Sequence, residues 1–572
     1  MVKIPAKIAL IEQLRRDGMT VVFGNPGTVE QNLIDAFTDA GDIRYILGLH
    51  ENVVVAMADG YARVTKRPAV AQVHSAVGLG NSMALLYQAH RSFTPMVVIA
   101  GEVDTRLQAF DGFLGGDLVN IARPVTKWAE RILHGEQLLR VWQRAIKVAM
   151  TPPQGPVFLA LPMNVLDEEV ESDIQPTQFV NWRSVPTSET LDVIAQRLSG
   201  AVSPLFLVGD GVSLAGAQEE VRRLSEWIGA PVFGVDFADL NASFRDPMFQ
   251  GLLGHSFGSQ TRKITLQADV LVAIGTPLFP ELFPSLQPYL QENALLIQID
   301  LNPWELSKNY PAHIAVLADP KATLDGLLST LASRWWGPAQ QARADQRTRQ
   351  WSVTKQQEHA NRQQLYDSVR DRVPIPPSRV AEVIVESLPT DVLVYDESIT
   401  STDELLHYLQ PSDPRSYFLG RGGCLGVGWP GAVGAKLAQP HRPVLAISAD
   451  GSALFVLQTL WTAAHYNLGI VFLVLNNHSY RILKVNLLHY WAQSGVALRP
   501  FPHMDLDKPR IRFDKLAEAF GVYGTRAEDA KSLRVALDEA FRRTGPSLID
   551  VDVDGSVAEE VRELIRSHSG CA

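Results

Sequence analysis

The sequence predicts an α/β protein built from doubly wound parallel sheets, and three observations indicate this fold. Short runs of branched apolar residues alternate with segments of helical spacing from Ala6 to Ala100. The same alternation returns at residues 443–475 and, more weakly, at residues 204–299. Strands that alternate with helices predict parallel sheets covered on both faces. Such sheets bind ligands beyond the carboxyl ends of their strands, so polar residues at those ends are candidates for a functional site.

Length and composition predict an ordinary globular enzyme. The chain has 572 residues, which suits about three or four domains. Its net charge is −10 with no long basic run, so neither nucleic acid nor an anionic membrane is expected as a partner. Two cysteines, Cys424 and Cys571, are too few for a disulfide framework or a cysteine-rich metal site. Residues 1–16 are amphipathic and unlike a signal peptide, and no apolar run is long enough to span a membrane, so we expect a cytoplasmic enzyme.

The first part of the chain places polar residues directly after its predicted strands. Four apolar strands alternate there with helices, at residues 20–23, 43–47, 69–73 and 95–100. The first strand runs into a Gly-Asn-Pro-Gly-Thr turn at residues 24–28, which opens a helix. Glu51 follows the second strand, and His74 follows the third. By itself, Glu51 predicts no more than a solvated acid that is favoured by the dipole at a helix N-terminus.

A strand–turn–helix–strand unit carries a second pair of candidates. An apolar strand at residues 443–448 leads to an Asp-Gly turn at Asp450, and a strand at residues 470–475 leads to Asn477. Because the carboxyl ends of parallel strands share one edge of a sheet, we expect Asp450 and Asn477 to meet there. One carboxylate and one carboxamide oxygen suit Mg²⁺, which keeps its other positions for water and phosphate oxygens. Either dipeptide alone would predict only a turn and a strand end.

The spacing of the Asp-Gly and Asn-Asn pairs resembles the diphosphate-binding motif of thiamine-diphosphate enzymes. A closer resemblance, to 2-oxo acid decarboxylases of the benzoylformate decarboxylase type, is carried by residues 23–28, 43–47, 58–62, 74–76, 123–128 and 155–157. It covers most of the chain and is weakest in the middle. The resemblance implies thiamine diphosphate and Mg²⁺ as cofactors. It also implies an active site shared between two subunits and, usually, a homotetramer.

The resemblance further implies how the chain is divided. The expected parts are a pyrimidine-binding domain at 1–186, a central Rossmann-like domain at 187–336, a linker at 337–375, a diphosphate-binding domain at 376–556, and a C-terminal helix or lid at 557–572. Related enzymes use the central domain for FAD, for the ADP part of coenzyme A, or for neither. The Gly-Asp-Gly turn at residues 209–211 is a weak sign of such a nucleotide site. Residues 254–256 and 262–263 would serve a nucleotide or form loop surface.

Roles follow from the resemblance for residues of the first domain. Glu51 matches the glutamate that hydrogen-bonds the aminopyrimidine ring and promotes proton loss from C2 of the thiazolium. His74 matches the first active-site histidine, Thr28 takes the place of the active-site serine and retains a hydroxyl, and Asn25 is expected to contact the cofactor. The second active-site histidine is missing, because Leu282 stands at its position. That difference leaves the reaction open.

In the third domain the resemblance implies cofactor contacts in two loops. The Gly423 carbonyl would accept a bond from the 4′-amino group. Leu425 would be the apolar wedge beneath the bent cofactor, although a leucine in a glycine-rich turn is also explained by packing. Ser398 and Thr400 would lie near the diphosphate or would cap the following helix.

The same resemblance completes the metal site and the substrate side. Gly451 and Ser452 would contact the diphosphate, and the main-chain carbonyl of Ser479 would be a third metal ligand beside Asp450 and Asn477. Ile482 would narrow the pocket beside the cofactor. An aromatic loop at residues 486–502 would offer three further substrate contacts, namely His489, Tyr490 and Trp491.

The expected function is thiamine-diphosphate- and Mg²⁺-dependent cleavage of a carbon–carbon bond, with decarboxylation of a 2-oxo acid as the leading reaction. The first alternative is a 2-hydroxyacyl-CoA lyase, or an enzyme like oxalyl-CoA decarboxylase, that releases formyl-CoA. The second is a carboligase like acetohydroxyacid synthase that carries FAD. A thiamine-binding protein without catalysis is a third, and Glu51 argues against it because binding alone does not need that residue.

Overall fold

A computed structural model of the protein describes residues 3–171, 173–235, 238–253, 257–501 and 503–557. Three six-stranded parallel sheets follow one another along the chain and are flanked by helices. This arrangement confirms the predicted fold class, while the domain boundaries stay predictions. Residues 254–256 and almost all of the predicted C-terminal helix or lid lie outside the described residues.

The first sheet occupies the N-terminal part of the chain. Its strands, with one short antiparallel pair, are β1 (Lys3–Pro5), β2 (Val21–Gly24), β3 (Arg44–Leu47), β4 (Ala69–Val73), β5 (Met96–Glu102), β6 (Trp128–Arg131), β7 (Pro156–Pro162) and β8 (Glu169–Glu171). Its helices are α1 (Ala6–Asp17), α2 (Gln31–Thr38), α3 (Glu51–Thr65), α4 (Ser75–Arg91), α5 (Leu118–Ala122), α6 (Leu138–Met150) and α7 (Met163–Leu166). The parallel strands are ordered β3-β2-β4-β5-β7-β6, and β1 pairs with β8. Strands β4 and β7 are buried along their whole lengths, as expected when helices cover both faces.

The central sheet has the strand order of a dinucleotide-binding fold. Its strands are β9 (Pro204–Val208), β10 (Val232–Val235), β11 (Phe249–Leu253), β12 (Val270–Ile274), β13 (Leu295–Asp300) and β14 (Ile314–Leu317). Its helices are α8 (Ser188–Gly200), α9 (Asp210–Ala215), α10 (Gln218–Ile228), α11 (Gly258–Thr265) and α12 (Pro320–Thr330). The order β11-β10-β9-β12-β13-β14 places the chain reversal between β9 and β12, as in a Rossmann fold.

The predicted linker is one long helix, α13 (Pro338–Val369). The guanidinium of Arg347 donates to the Ala201 carbonyl of the central part at 3.2 Å. Further along, the Gln363 side chain donates to Tyr408 at 3.2 Å, on the third part of the chain. The helix therefore joins the central and third sheets along its length.

The third sheet repeats the strand order of the first. Its strands are β15 (Leu393–Glu397), β16 (Tyr417–Leu419), β17 (Val444–Ala449), β18 (Val471–Asn476), β19 (Tyr523–Ala527) and β20 (Ser547–Asp552). Its helices are α14 (Pro377–Ser387), α15 (Thr402–Leu409), α16 (Gly428–Ala438), α17 (Asp450–Ala453), α18 (Thr459–His465), α19 (Arg481–Gln493), α20 (Phe513–Ala519) and α21 (Ala530–Arg542). The order β16-β15-β17-β18-β20-β19 places the ends of β15, β17 and β18 side by side. The predicted strand–turn–helix–strand unit is β17-α17-α18-β18 and is thereby confirmed.

The prediction of a long aromatic loop at residues 486–502 is wrong over its first half. Residues up to Gln493 continue helix α19, because neither glycine nor proline interrupts the segment before Gly495. Trp491 is only 3% exposed and packs against Phe501, so it is a core residue of this small cluster. His489 faces the central part of the chain, where its ring centroid lies 4.3 Å from that of Phe257.

A buried ion network joins all three sheets. The Arg63 guanidinium of α3 donates to the Asp239 carboxylate of the central part at 2.8 Å and to the Tyr395 hydroxyl of β15 at 2.7 Å. Arg421 of the third part in turn donates to Asp210 of α9 at 2.8 Å. All five side chains are buried, so each charge depends on its partner.

Helices α3 and α16 cross in backbone contact. A Cβ atom added at Gly60 would lie 2.0 Å from the carbonyl oxygen of Gly431, and one at Gly434 would lie 1.9 Å from that of Met57. Glycine is therefore required at this crossing, because a side chain would force the first and third sheets apart. Among the described residues, no helix combines the length and the apolar character needed to cross a membrane.

We expect Gly434→Ala to destabilise the protein by about 1–3 kcal/mol, because the new methyl group overpacks the crossing of α3 and α16. The apparent melting temperature, followed by circular dichroism, measures the effect. Gly200→Ala is the matched control, since its Cβ would meet nothing within 4 Å at the end of α8. Equal melting temperatures for the two variants would contradict the close approach of the helices.

Candidate active site

Glu51 is buried at the carboxyl edge of the first sheet. It begins α3, is 5% exposed, and accepts hydrogen bonds from the amides of the Asn25 and Asn81 side chains, both at 3.1 Å. A Cβ atom at Gly78 would lie 2.6 Å from its Oε1, so the missing side chain leaves room for the carboxyl group. The alternative of a solvated surface acid is therefore wrong. The structure brings Glu51 and Asn25 together as the predicted site requires.

His74 lies on the same edge and contacts a residue that the sequence analysis missed. Its Nδ1 is 2.8 Å from Oε2 of Glu30, whose side chain is fully buried. Glu30 stands three residues after Gly27, and its carboxylate accepts the Gly27 amide at 3.0 Å. A glutamate at this position forms the half of a capping box that binds the N-cap amide, so the spacing is a sequence signal for the Gly27 contact but not for the contact with His74. Thr28, between them, is exposed at the surface of the turn.

Asp450 lies at the carboxyl edge of the third sheet, directly after β17. It is 2% exposed; its Oδ1 accepts the Gly451 amide at 2.8 Å, while its Oδ2 is buried without a hydrogen-bond partner among the described residues. Burial raises the pKa of Asp450 to about 6, although the amides of Gly451, Ser479 and His478 favour its charged form. The loop after β18 therefore faces Asp450, as the sequence predicts.

That loop is built around Asn477. The Oδ1 atom of Asn477 accepts the amide of Ser479 at 2.9 Å, and the Ser479 hydroxyl donates to the Met504 carbonyl at 3.1 Å. Between them His478 has a φ of 54°, a left-handed conformation that non-glycine residues rarely adopt. The three predicted metal ligands thus belong to one tight turn and the helix start opposite it.

The residues at this edge fit a hard cation bound to a diphosphate. The unpartnered Oδ2 of Asp450 is the kind of buried donor that a metal ion satisfies, and oxygen ligands match the preference of Mg²⁺. Within the described ranges, no three His, Cys, Asp or Glu side chains cluster as a metal site. The predicted metal ligands are one carboxylate, one carboxamide and one main-chain carbonyl, so they would not form a cluster of three such side chains.

The loop that carries Gly423 and Leu425 is held by a second residue that the sequence analysis missed. The Glu397 carboxylate accepts the amides of Gly426 at 2.7 Å and Gly428 at 2.9 Å. Burial raises the pKa of Glu397 to about 7 against these hydrogen bonds. Gly423 adopts a φ of 74° with open space around its Cα, and Leu425 is half-buried. Both predicted contacts therefore sit in a loop fixed from below by Glu397.

The other predicted cofactor residues lie around the same edge. Ser398 is buried, and its hydroxyl contacts that of Thr402 at 3.1 Å rather than capping a backbone amide, so the simple capping alternative is not what forms. Thr400 is half-buried beside it. Gly451 and Ser452 are buried within α17, and half-buried Ile482 is the second residue of α19.

Within one chain, Glu51 of the first sheet and the Gly423 loop of the third part contact helix α4 at separate positions. Glu51 contacts Asn81 of α4, whereas the Gly422 amide donates to Gln88 of the same helix at 2.6 Å. Asn81 and Gln88 are seven residue steps apart along the helix, which is a rise of about 10 Å. The Gly423 loop of a chain is therefore displaced along α4 from its own Glu51.

Among the described residues, one small cavity lies beside the Gly-Asp-Gly turn of the central sheet. Asp210 of the Gly-Asp-Gly turn is buried and bound to Arg421. The cavity beside Gly211, Gly275 and Asp300 has a volume of about 40 Å³. Leu282 is 68% exposed on a nearby loop, and its neighbour Phe283 stacks on Phe257.

Three family models match the chain in order. They are the N-terminal TPP binding domain of thiamine pyrophosphate enzymes at residues 6–122, the central domain at 191–327, and the C-terminal TPP binding domain at 400–551. A benzoylformate decarboxylase of Pseudomonas aeruginosa is 30% identical over 552 residues, which cover 95% of this chain and 98% of the relative. The chain belongs to the thiamine pyrophosphate enzyme family.

Other members of this family are similar over nearly the whole length. A probable acetolactate synthase large subunit of Methanococcus aeolicus is 27% identical, with 96% of this chain and 92% of the relative covered. The structure of a thiamine diphosphate-dependent 4-hydroxybenzoylformate decarboxylase from Rhodococcus jostii RHA1 matches with a TM-score of 0.83 and 26% identity, covering 96% of this chain and 99% of that one. The benzoylformate decarboxylase of Polynucleobacter necessarius shares the fold, with a TM-score of 0.84, 24% identity and coverage of 96% and 99%.

We expect Asp450→Ala to abolish tight binding of thiamine diphosphate with Mg²⁺, because the cation loses its only carboxylate ligand. Calorimetric titration of the apoprotein measures this. Asp325→Ala is the control, since it removes a half-exposed carboxylate of the central part whose partner is Arg223 at 3.7 Å. Unchanged cofactor affinity in Asp450→Ala would contradict the metal site.

Proposed function

We propose that this protein is a thiamine-diphosphate- and Mg²⁺-dependent decarboxylase of a 2-oxo acid. The observation that carries the proposal is the buried Glu51 carboxyl group, which is held by Asn25 and Asn81. A protein that only binds the cofactor has no use for a buried acid at that point, because burial of a carboxyl group is unfavourable. The decarboxylases among the similar proteins support this choice of reaction.

The residues of the two edges have complementary roles in this proposal. When bound, the cofactor supplies an electron sink for the bonding electrons that CO₂ leaves behind. Glu51 would hold a proton at the ring nitrogen through one carboxyl oxygen, and the Asn25 and Asn81 amides orient the group by donating to Oε1 and Oε2 respectively. His74 moves a proton on the substrate side. Asp450, Asn477 and the Ser479 carbonyl would hold Mg²⁺ and, through it, the diphosphate.

A further part of the proposal is that two chains build each active site. The offset of about 10 Å along α4 separates the contacts of Glu51 and Gly422 within a chain. The Glu51 of one subunit would then act on a cofactor held by Asp450 of a second copy. A homodimer is the smallest assembly that satisfies this arrangement, and the family resemblance favours a homotetramer.

The second candidate is a carboligase of the acetolactate synthase type, which is favoured by a 27% identical relative that matches 96% of the chain. The cavity beside Gly211, Gly275 and Asp300 has a volume of about 40 Å³, below the roughly 300–1,000 Å³ of typical ligand pockets. That cavity by itself is too small for FAD or for the ADP part of coenzyme A. The long aromatic loop favoured an acyl-CoA lyase, and that argument is weakened because the first half of the loop is helix α19.

We expect Glu51→Gln to slow C2 proton exchange of bound cofactor by about 10²–10⁴-fold, the usual contribution of general acid–base catalysis, while the cofactor still binds. Glutamine keeps the size of the side chain but does not share a proton in the same way. Proton NMR after transfer into D₂O measures the exchange. Glu102→Gln is the control, since it changes another buried glutamate of the first sheet that is paired with Arg131. Exchange at the wild-type rate in Glu51→Gln would refute the role of Glu51.

A paired assay separates the candidate reactions. We expect CO₂ release from one or more aromatic or aliphatic 2-oxo acids, and no formyl-CoA from 2-hydroxyacyl-CoA thioesters. Acetolactate formation from pyruvate, with and without added FAD, is measured in parallel. Turnover of the thioesters alone, with competition by ADP, would establish the lyase, and FAD-dependent acetolactate formation would establish the carboligase.

A further inference from the structure

We propose that Glu30 is a positioning residue that fixes the tautomer of His74, so that Nε2 of His74 is the atom that accepts and returns a proton. The inference rests on the proposed function, since it concerns the same site. It assigns a task to a fully buried carboxyl group that the motif of the turn does not explain.

Glu30 is surrounded by hydrogen-bond donors. Its Oε1 accepts the amides of Ser75 at 3.1 Å and Gly101 at 2.8 Å, and its Oε2 accepts the Gly27 amide at 3.0 Å. The carboxylate thus accepts three backbone hydrogen bonds, and a carboxylate has no hydrogen to donate. The remaining contact, between Oε2 and Nδ1 of His74 at 2.8 Å, must therefore be donated by the histidine.

This donation decides which nitrogen reacts. A neutral imidazole carries one N–H, so a proton on Nδ1 leaves the lone pair on Nε2. The His74 side chain is 20% exposed while that of Glu30 is 0% exposed, so the ring presents its other edge to open space. The ring accepts one proton at Nε2 from the reacting group on the substrate side, becomes an imidazolium whose charge Glu30 balances, and returns that proton to the same side in a later step. A buried carboxylate orients the general base of serine hydrolases in the same way.

Two glycines border the contact between Glu30 and His74, and a side chain at either position would collide with it. A Cβ atom at Gly27 would lie 1.9 Å from Nδ1 of His74, and one at Gly101 would lie 2.6 Å from Oε1 of Glu30. Ser75, directly after His74, adopts a φ of 47° while its amide donates to Glu30. Residues other than glycine rarely adopt a positive φ, so the hydrogen bonds of this turn hold Ser75 in that backbone conformation.

The first experiment reads the tautomer directly. Long-range ¹H–¹⁵N spectra of histidine-labelled holoenzyme distinguish protonated from bare ring nitrogens, and the His74 signal is assigned by its loss in His74→Gln. We expect Nδ1 to carry the proton in the wild type and Nε2 to carry it in Glu30→Gln, whose amide group donates where the carboxylate accepts. Glu220→Gln, which changes a buried glutamate paired with Lys321 at 2.6 Å, should leave the signal unchanged.

The second experiment asks whether Glu30 acts through His74. Glu30→Gln should lower kcat by about 10²–10⁴-fold with the cofactor affinity unchanged, as loss of an orienting carboxylate does elsewhere. The double variant Glu30→Gln/His74→Gln should then be no slower than His74→Gln alone, since residues that act as a unit are not additive. If Glu30→Gln does not fold, Gly27→Ala replaces it, because its methyl group displaces the imidazole and leaves the carboxylate in place.

Three results would overturn the proposal: a wild-type His74 protonated on Nε2, an unchanged tautomer in the folded variant, or rate losses that multiply in the double variant. A wild type that is inactive on every 2-oxo acid would refute the proposed function instead. In that case the tautomer measurement still decides the role of Glu30.

Discussion

The arrangement of the three sheets depends on the hydrogen bonds that the buried Arg63 guanidinium makes. Arg63 lies on α3, yet its hydrogen bonds reach Asp239 in the central part and Tyr395 in the third. Removing one partner of a buried ion pair costs about 3–5 kcal/mol, so the three parts cannot separate without a large penalty. The Gly60 and Gly434 contacts place α3 and α16 against each other at the same junction. Because α3 also begins with Glu51, the junction fixes the position of the proposed acid.

In each half of the candidate site, one buried glutamate accepts hydrogen bonds from the backbone amides of the surrounding loops. Glu30 binds the amides after β2, β4 and within β5, and Glu397 binds the amides that begin α16. Left-handed residues follow the strand ends in both halves: Ser75 at 47°, Ile399 at 59° and His478 at 54°. Such conformations cost on the order of 1–3 kcal/mol each and are kept where the surroundings enforce them. The hydrogen bonds of these loops therefore hold backbone conformations that would otherwise be unfavourable.

The first and third sheets have the same strand order, so the two halves of the site form at equivalent edges. One edge carries Glu51 and His74, and the other carries Asp450 and Asn477, the proposed oxygen ligands of a cation. Packing of α3 on α16 within the chain leaves these halves offset along α4. This offset is the observation on which the proposed two-chain active site rests.

By itself, the sequence determined the fold class and the strand-end positions of the candidate site residues. Short continuous apolar runs alternate with helical spacing, and that pattern predicts parallel sheets with Glu51, His74, Asp450 and Asn477 at their carboxyl edges. These are local properties, and they survive into the structure with boundary shifts of a residue or two.

Only the tertiary structure decided which groups hold those residues in place. Glu30 and Glu397 act through backbone amides of distant loops, and no local spacing reports hydrogen bonds to Gly101 or Gly428. The helix that replaces the expected aromatic loop is stabilised by packing of Trp491 against Phe501, a contact outside the segment's own periodicity. The narrow central cavity depends on side chains brought together from three parts of the chain, Phe93, Trp182 and Pro277 among them. The local hydrophobic pattern determines where a strand ends. The burial and hydrogen bonding of a polar group at that end depend on which distant residues the fold brings next to it.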